Sequence, residues 1–445
     1  MGRPPEIRRC SGCVPATPLG TPGRDSAAME CLCLPMVGEP ESLSIDPSKI
    51  LGEGRIRIDR EAPTIVRITP VFSTIPAIFH GQNRFLANNG CNISVISSLD
   101  ETANRISHAE GFNYFPVSIS RGITPYEDLK AIFHIISILN KIRPDVVHTH
   151  TSKGGLLGMI ASFASNVQHR IHTVAGWSAD SRGKIMGLPI LISELMTLNI
   201  ATRVIVNSDS LRKYLVESGY ISNAKSYVLG HGSSNGVDLE YYKVDSSTSL
   251  NSIQVRNNFG ILKKDIVLAF IGRVMLEKGI KELLDAFLYL NDIYNNIHLL
   301  VIGTLENESR KRLPTELLSL IHHHSHIHLT GWVDNVPYYL AAADILVHPS
   351  YHEGMPNAIL QGAAMELPCL ASDVLGNKDA IIHGVTGYLF QHKNNKEFIN
   401  LLIRLIDNPS LRLALGSQGR QFVEREFDKN VVCKRLLDFY YETIS

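Results

Sequence analysis

Arg273 and Lys278 follow a β-branched run and are bracketed by glycines in the segment Gly272-Arg-Val-Met-Leu-Glu-Lys-Gly279. A glycine lets a ligand approach the backbone, a guanidinium presents a fork of donors and an ammonium a point charge, so this turn suits a diphosphate. Taken alone it reads rather as a surface turn with two solvated bases. A second stretch changes the balance. Pro349-Ser-Tyr-His-Glu-Gly-Met-Pro-Asn357 places the Glu353 carboxylate and the flexible Gly354 just before a helix opened by Pro356. Glu353 is set to accept hydrogen bonds from sugar hydroxyls, and the backbone around Gly354, Met355, Pro356 and Asn357 lies at the positive end of the helix, where phosphate is favoured. The alternative for Glu353 is a carboxylate that only stabilises the helix start. Gln361 falls within the same helix, within reach of a ribose.

Two histidines, His148 and His150, end another β-branched run, and strand alternation puts both on one side of it. Either is a candidate general base or acceptor-positioning group; the competing reading is a histidine hydrogen-bonded beneath the next loop. Lys153, with Gly154 and Gly155, opens the following helix and is either a contact for an acceptor phosphate or a solvated turn. The run His322-His-His324 with His326 and His328 lacks accompanying acidic or cysteine ligands and is read as structural. Cys10, Cys13, Cys31 and Cys33 likewise lack zinc-site spacing, and the seven cysteines form no disulfide framework, which fits a reducing compartment. Trp177 and Trp332 are read as packing residues, Trp332 being the better candidate for lying near a base.

These side chains need strands to position them. Short β-branched runs alternate with amphipathic stretches from about residue 63, the signature of βαβ units and parallel sheets. Residues 64–69, 92–96, 145–148, 170–174 and 203–206 read as one series of strands, and 266–271, 297–302, 344–348 and 368–371 as a second. Ligands of such sheets sit beyond the carboxyl ends of the strands, where His148, Gly272, Gly303 and the loop after His348 all fall. The fold expected is therefore α/β, two Rossmann-like parallel-sheet domains facing a cleft: 61–235 on the acceptor side and 236–429 on the donor side, with 430–445 packing back on the first. Residues 1–60, rich in Pro, Gly, Arg and Ser, read as a disordered leader or non-native extension.

Composition narrows the function classes. Forty-three basic residues balance forty-three acidic ones, which removes the broad attraction that nucleic-acid binding needs. No apolar run is long enough to span a bilayer; residues 185–202, interrupted by Pro189 and Glu194, read as a buried or partly exposed helix, with contact at a membrane surface as the alternative. A nicotinamide enzyme would carry Gly-x-Gly-x-x-Gly after its first strand, where Phe79-His-Gly81-Gln stands instead.

From about Pro63 to Tyr441 the sequence resembles family 4 glycosyltransferases of the GT-B type, especially those of bacterial capsule and O-antigen synthesis. The resemblance rests on segments 147–158, 232–238, 270–279, 331–335, 348–360 and 384–390, in that order and spacing. It implies a nucleotide sugar donor whose diphosphate is bound by Arg273 and Lys278 and whose sugar is recognised by Glu353. Base contacts are implied near Val333, and Gly81, Gly272 and Gly303 join the donor set. It further implies transfer with retention to a lipid-linked or oligosaccharide acceptor, in the cytoplasm or at the inner membrane face, with no cofactor. No Asp-x-Asp motif occurs to hold a divalent ion, and the cationic pair can replace one. Two positions depart from the family pattern: Gln361 stands where a second glutamate is usual, and Ala175 where a histidine is. Gln361 keeps one amide acceptor; Ala175 keeps no polar side chain.

Overall fold

The computed structural model describes residues 62–120, 122, 124–177, 184–306 and 312–445, with the side chains of 184–186 left aside. The reading of 1–60, and Cys10, Cys13, Cys31 and Cys33 with it, lies outside these residues. Thirteen strands form in chain order. Thr64–Ile68 (β1), Asn92–Ser97 (β2), Asn113–Pro116 (β3), Val146–His150 (β4), His169–Val174 (β5), Arg203–Val206 (β6) and Ser226–Tyr227 (β7) make one sheet. Ile266–Ile271 (β8), Ile297–Ile302 (β9), Ile327–Gly331 (β10), Ile345–His348 (β11), Cys369–Ser372 (β12) and Gly387–Phe390 (β13) make the other.

Every pairing between neighbouring strands is parallel, in the orders β3-β2-β1-β4-β5-β6-β7 and β10-β9-β8-β11-β12-β13. Helices cover both faces, as parallel sheets require, and alternation along each strand sorts side chains between the layers. Val267 and Ala269 of β8 enter one core, Leu268 and Phe270 the opposite one. In the first sheet Ile65 faces the core that contains Val146 and Ile171, while Val66 and Ile68 face the core formed with the helix Pro125–Ile142. The chain is thus two Rossmann-like α/β lobes, as the alternating runs predict.

Strand order reverses between β1 and β4 in the first sheet and between β8 and β11 in the second. These reversals open the crevice where ligands of such sheets sit. The C-terminal helix Lys429–Ile444 leaves the second lobe and packs into the core of the first, burying Leu436, Leu437, Phe439 and Tyr440 against Ile65, Ile93 and Ile205.

Candidate active site

Glu353 reaches the reversal point of the second sheet because the loop after β11 is tied down on the turn after β8. That turn, Leu276–Lys278, closes at Gly279 with φ +71°, a left-handed conformation that costs a glycine little. A side chain there would also strike the Pro349 carbonyl, since its first carbon would lie 2.1 Å away. Tyr351 N donates to Glu277 O at 2.9 Å, and the Tyr351 hydroxyl donates to Glu282 Oε1 at 2.5 Å. With both segments locked, Lys278 Nζ donates to Glu353 Oε1 at 2.5 Å and His348 Nε2 donates to the same oxygen at 2.8 Å.

The Glu353 side chain is 13% exposed and that of Lys278 22%, so this pair is well shielded from water. Burial by itself pushes the carboxyl up, but the hydrogen bond and charge of His348 and then of Lys278 outweigh it and hold it down at about 2. The anion is therefore present at any ordinary pH. His348 ends β11 and is buried, and its Nδ1 has no hydrogen-bond partner among the described residues. Sequence reasoning named the loop that it opens but gave His348 no role; a histidine closing a strand five residues before Glu353 is the signal that was there to read.

Arg273 stands at the open lip, 60% exposed, paired with Glu306 at 3.1 Å. Gly272 follows β8 and donates its amide to Ile302 O at 3.0 Å, beside Gly303 at the end of β9. Gly354, Met355 and Pro356 lead into the helix Asn357–Ala364, with Gly354 and Pro356 buried, Met355 packed on the second-lobe core, Asn357 exposed and Gln361 half-buried. Val333 packs on that core too, next to an exposed Trp332 whose indole donates to Asp334 Oδ1 at 3.1 Å. Arg273, Lys278 and Glu353 thus gather where β8 and β11 end.

The first lobe meets this site at Ala175. A first side-chain carbon on Gly354 would lie 1.6 Å from the Ala175 carbonyl oxygen, so the backbones of the two lobes touch here. A second tie lies nearby: Ser210 N donates to Asp379 Oδ1 at 3.2 Å, its hydroxyl also bonds that carboxylate, and Gly376 N donates to Ser210 Oγ at 2.9 Å.

Four residues counted with the site are placed elsewhere. His148 is buried with both ring nitrogens taken, Nδ1 by the Tyr440 hydroxyl and Nε2 by Thr173 Oγ1, each at 2.6 Å. His150 is buried against Arg67, whose Nη2 lies 3.2 Å from its Nε2. Burial first, and the nearby cation and imidazoles after it, hold both rings far below their ordinary value, so they are neutral. Alternation correctly put the two rings together, 4.2 Å apart, but on the interior side rather than at the cleft. Lys153 is occupied by Asp128 at 2.7 Å, by Ser120 Oγ at 3.1 Å and by Thr124 Oγ1 at 3.4 Å. Gly81 caps the helix Gln82–Asn88, donates to Glu110 Oε1 at 2.6 Å and packs against Lys429 of the C-terminal helix. His298, His326 and His328 stack at the far edge of the second sheet, with His298 Nδ1 3.0 Å from His328 Nε2. Among the described residues no group of three or more His, Cys, Asp or Glu is arranged to hold a metal ion.

Both lobes find counterparts among known proteins. Residues 252–422 match the family described as Glycosyl transferases group 1, and residues 78–207 that described as Glycosyl transferase 4-like. The chain is 28% identical over 380 residues to the capsular polysaccharide biosynthesis glycosyltransferase CapM of Staphylococcus aureus, an alignment spanning 84% of this chain and 96% of that protein. It is 27% identical over 385 residues to the UDP-Gal:alpha-D-GlcNAc-diphosphoundecaprenol alpha-1,3-galactosyltransferase of Escherichia coli, spanning 85% and 96%. Among solved structures, Anabaena HepE in complex with UDP and glucose superposes with a TM-score of 0.71 at 16% identity, covering 85% of this chain and all (100%) of that one. Matches in both lobes, in relatives aligned along almost their whole length, and in the two-lobed architecture make this chain a member of the family 4 glycosyltransferases of the GT-B fold.

Proposed function

We propose that the protein transfers a hexose or N-acetylhexosamine from a UDP-sugar to a lipid-linked or oligosaccharide acceptor in surface polysaccharide synthesis, with retention of configuration and without a metal. The observation that carries this reading is the shielded Lys278–Glu353–His348 cluster at the strand reversal, with Arg273 at its lip. Lys278 and Arg273 are each held by a carboxylate, Glu353 and Glu306 respectively. A donor diphosphate exchanges those partners: the cations turn to the phosphates, and Glu353, still oriented by His348, accepts from a sugar hydroxyl. As the glycosidic bond to phosphate breaks, negative charge grows on the leaving diphosphate, and cations already in place stabilise it. Gln361 offers the ribose its amide oxygen.

Retention is supported by the name of the Escherichia coli relative, since an alpha linkage made from α-configured UDP-galactose keeps the anomeric configuration. The lipid-linked acceptor rests on the same name and on an exposed apolar ridge, Leu188, Ile192 and Met196, on one face of the helix Lys184–Ile200, suited to peripheral contact at the inner membrane face. No helix among the described residues is long and apolar enough to cross a membrane.

The test is transfer from a panel of UDP-sugars to farnesyl-diphospho-N-acetylglucosamine, with the anomeric proton of the product read by NMR. An alpha product, formed at full rate in excess chelator, is expected. Loss of activity in chelator that magnesium restores would overturn the metal-free reading. Ala175 motivates a second reading, a sugar-nucleotide-binding protein without turnover. Tight UDP-sugar binding with no product across an acceptor panel would favour it.

A further inference from the structure

We propose that the groove between Trp177 and Tyr214 of the first lobe and Tyr351, Glu353, Asp373 and Lys378 of the second is the seat of the acceptor's terminal sugar ring. The inference rests on the transferase reading above and assigns the acceptor side that His148 and Lys153 do not supply. The groove encloses about 400 Å³, within the range of small-ligand clefts. Its first-lobe wall is aromatic and fixed: Trp177 lies against Tyr220 with ring centroids 5.0 Å apart at 32°, and Tyr214 borders Tyr220 at 6.5 Å. Leu211 and Leu375 extend the apolar surface. A pyranose has apolar C–H faces and a polar rim, so a rigid aromatic wall takes its face while charged groups meet its hydroxyls. Those groups stand opposite, in the Asp373–Lys378 pair at 3.3 Å and in Glu353.

Position separates this groove from the donor site. Its lining includes neither Arg273 nor Lys278, yet it ends on Glu353, the carboxylate assigned to the donor sugar. A ring seated against Trp177 therefore lies beside the donor sugar at Glu353, and retention requires its attacking hydroxyl to reach the anomeric carbon on the face that the diphosphate leaves. The other large hollows do not share this placement. One of about 600 Å³ lies at residues 143–145 and 165–169, which enter β4 and β5, at the wrong end of the sheet for a ligand.

The chain has two tryptophans, so Trp332→Phe leaves Trp177 as its single indole. Titrating that variant with farnesyl-diphospho-N-acetylglucosamine should change the Trp177 emission saturably, and adding Asp373→Asn should shift the midpoint upward at least fivefold. In the otherwise unaltered protein, Trp177→Ala and Asp373→Asn should each raise KM for this acceptor about tenfold, leaving KM for the UDP-sugar within twofold. Trp177→Phe, which keeps an aromatic face, should restore most of the loss, and the UDP-induced thermal shift should persist in all three. An unchanged acceptor KM, or an equal rise in donor KM, overturns the assignment. Should no sugar be transferred at all, the transferase reading fails, while the emission titration still decides the groove: no saturable response refutes it.

Discussion

Lys278 and Arg273 answer the same chemical demand from different surroundings, and that difference separates their variants. The Arg273 side chain is 60% exposed although Glu306 is only 15% exposed, and ion pairs open to solvent contribute only about 0–1 kcal/mol. Arg273→Ala should therefore lower transfer at least tenfold with little change in melting temperature. Lys278→Ala should lower transfer by at least as much, by the order of magnitude known for losing a transition-state charge donor, and should also lower the melting temperature because Glu353 keeps only His348. Kinetics at wild-type level in both variants would refute the clamp. Acid acts on different residues. Burial holds His148 and His150 well below 6.5 and His172 at about 4. Below pH 6.5 the unfolded chain thus binds protons that the native state does not. Their contribution is fully present above 6.5 and is lost as the pH falls toward the folded values. For Glu353 the corresponding loss runs from 4.5 down to about 2. Melting temperatures recorded from pH 8 to pH 5 should be level at first and decline below 6.5; a level course throughout would show these rings to be no liability.

At the scale of elements, the loop after β11 and the turn after β8 are fitted to each other through backbone, with no room for a side chain at Gly279 or Gly354. Gly354→Ala sets a methyl against the Ala175 carbonyl, which cannot swing aside as a side chain would. The lobes must separate or the loop must move off Lys278. Transfer should drop at least a hundredfold, with a stability cost of about 1–3 kcal/mol typical of overpacking, read by kinetics and thermal melts of the same sample. A Gly354→Ala protein as active as the parent would mean that the contact at Ala175 plays no part in turnover. Much of this architecture was legible beforehand, because runs such as Ile266–Ile271 and Ile297–Ile302 are β-branched and fully bounded. β3, with sequence Asn-Tyr-Phe-Pro, and the two-residue β7 were not, since edge strands this short carry no periodicity. The donor-side residues could be named because a strand, a turn and a helix start lie next to one another in sequence. His148 and His150 were open between two readings for the opposite reason: His148 is covered by Tyr440, 292 residues further on, and His150 by Arg67 and Phe79 from earlier in the chain, and alternation fixes which side chains share a face without saying what lies over it.

In the molecule as a whole, sequence-distant parts are joined not only where Gly354 meets Ala175 but also by the Asp379 carboxylate on the start of the helix Asp209–Glu217 and by the C-terminal helix on the first sheet. The last has a simple test. Tyr440→Phe keeps the packing but deprives the buried His148 Nδ1 of its partner, which should cost about 1–3 kcal/mol. Denaturant unfolding should show a lower midpoint with an unchanged slope. Because the first lobe is the one weakened, a probe there, such as Cys91 reactivity, should report the loss. Equal midpoints for variant and parent would mean that the bond contributes nothing. The same helix also governs the order of events during synthesis. A nascent chain released stepwise from the ribosome folds its early domain first only when that domain holds all its own parts. Here the core around Ile65, Ile93 and Ile205 waits for Leu436 to Tyr440, so the lobe begun first is completed last, and a fragment ending at the interlobe linker would emerge with that apolar floor uncovered.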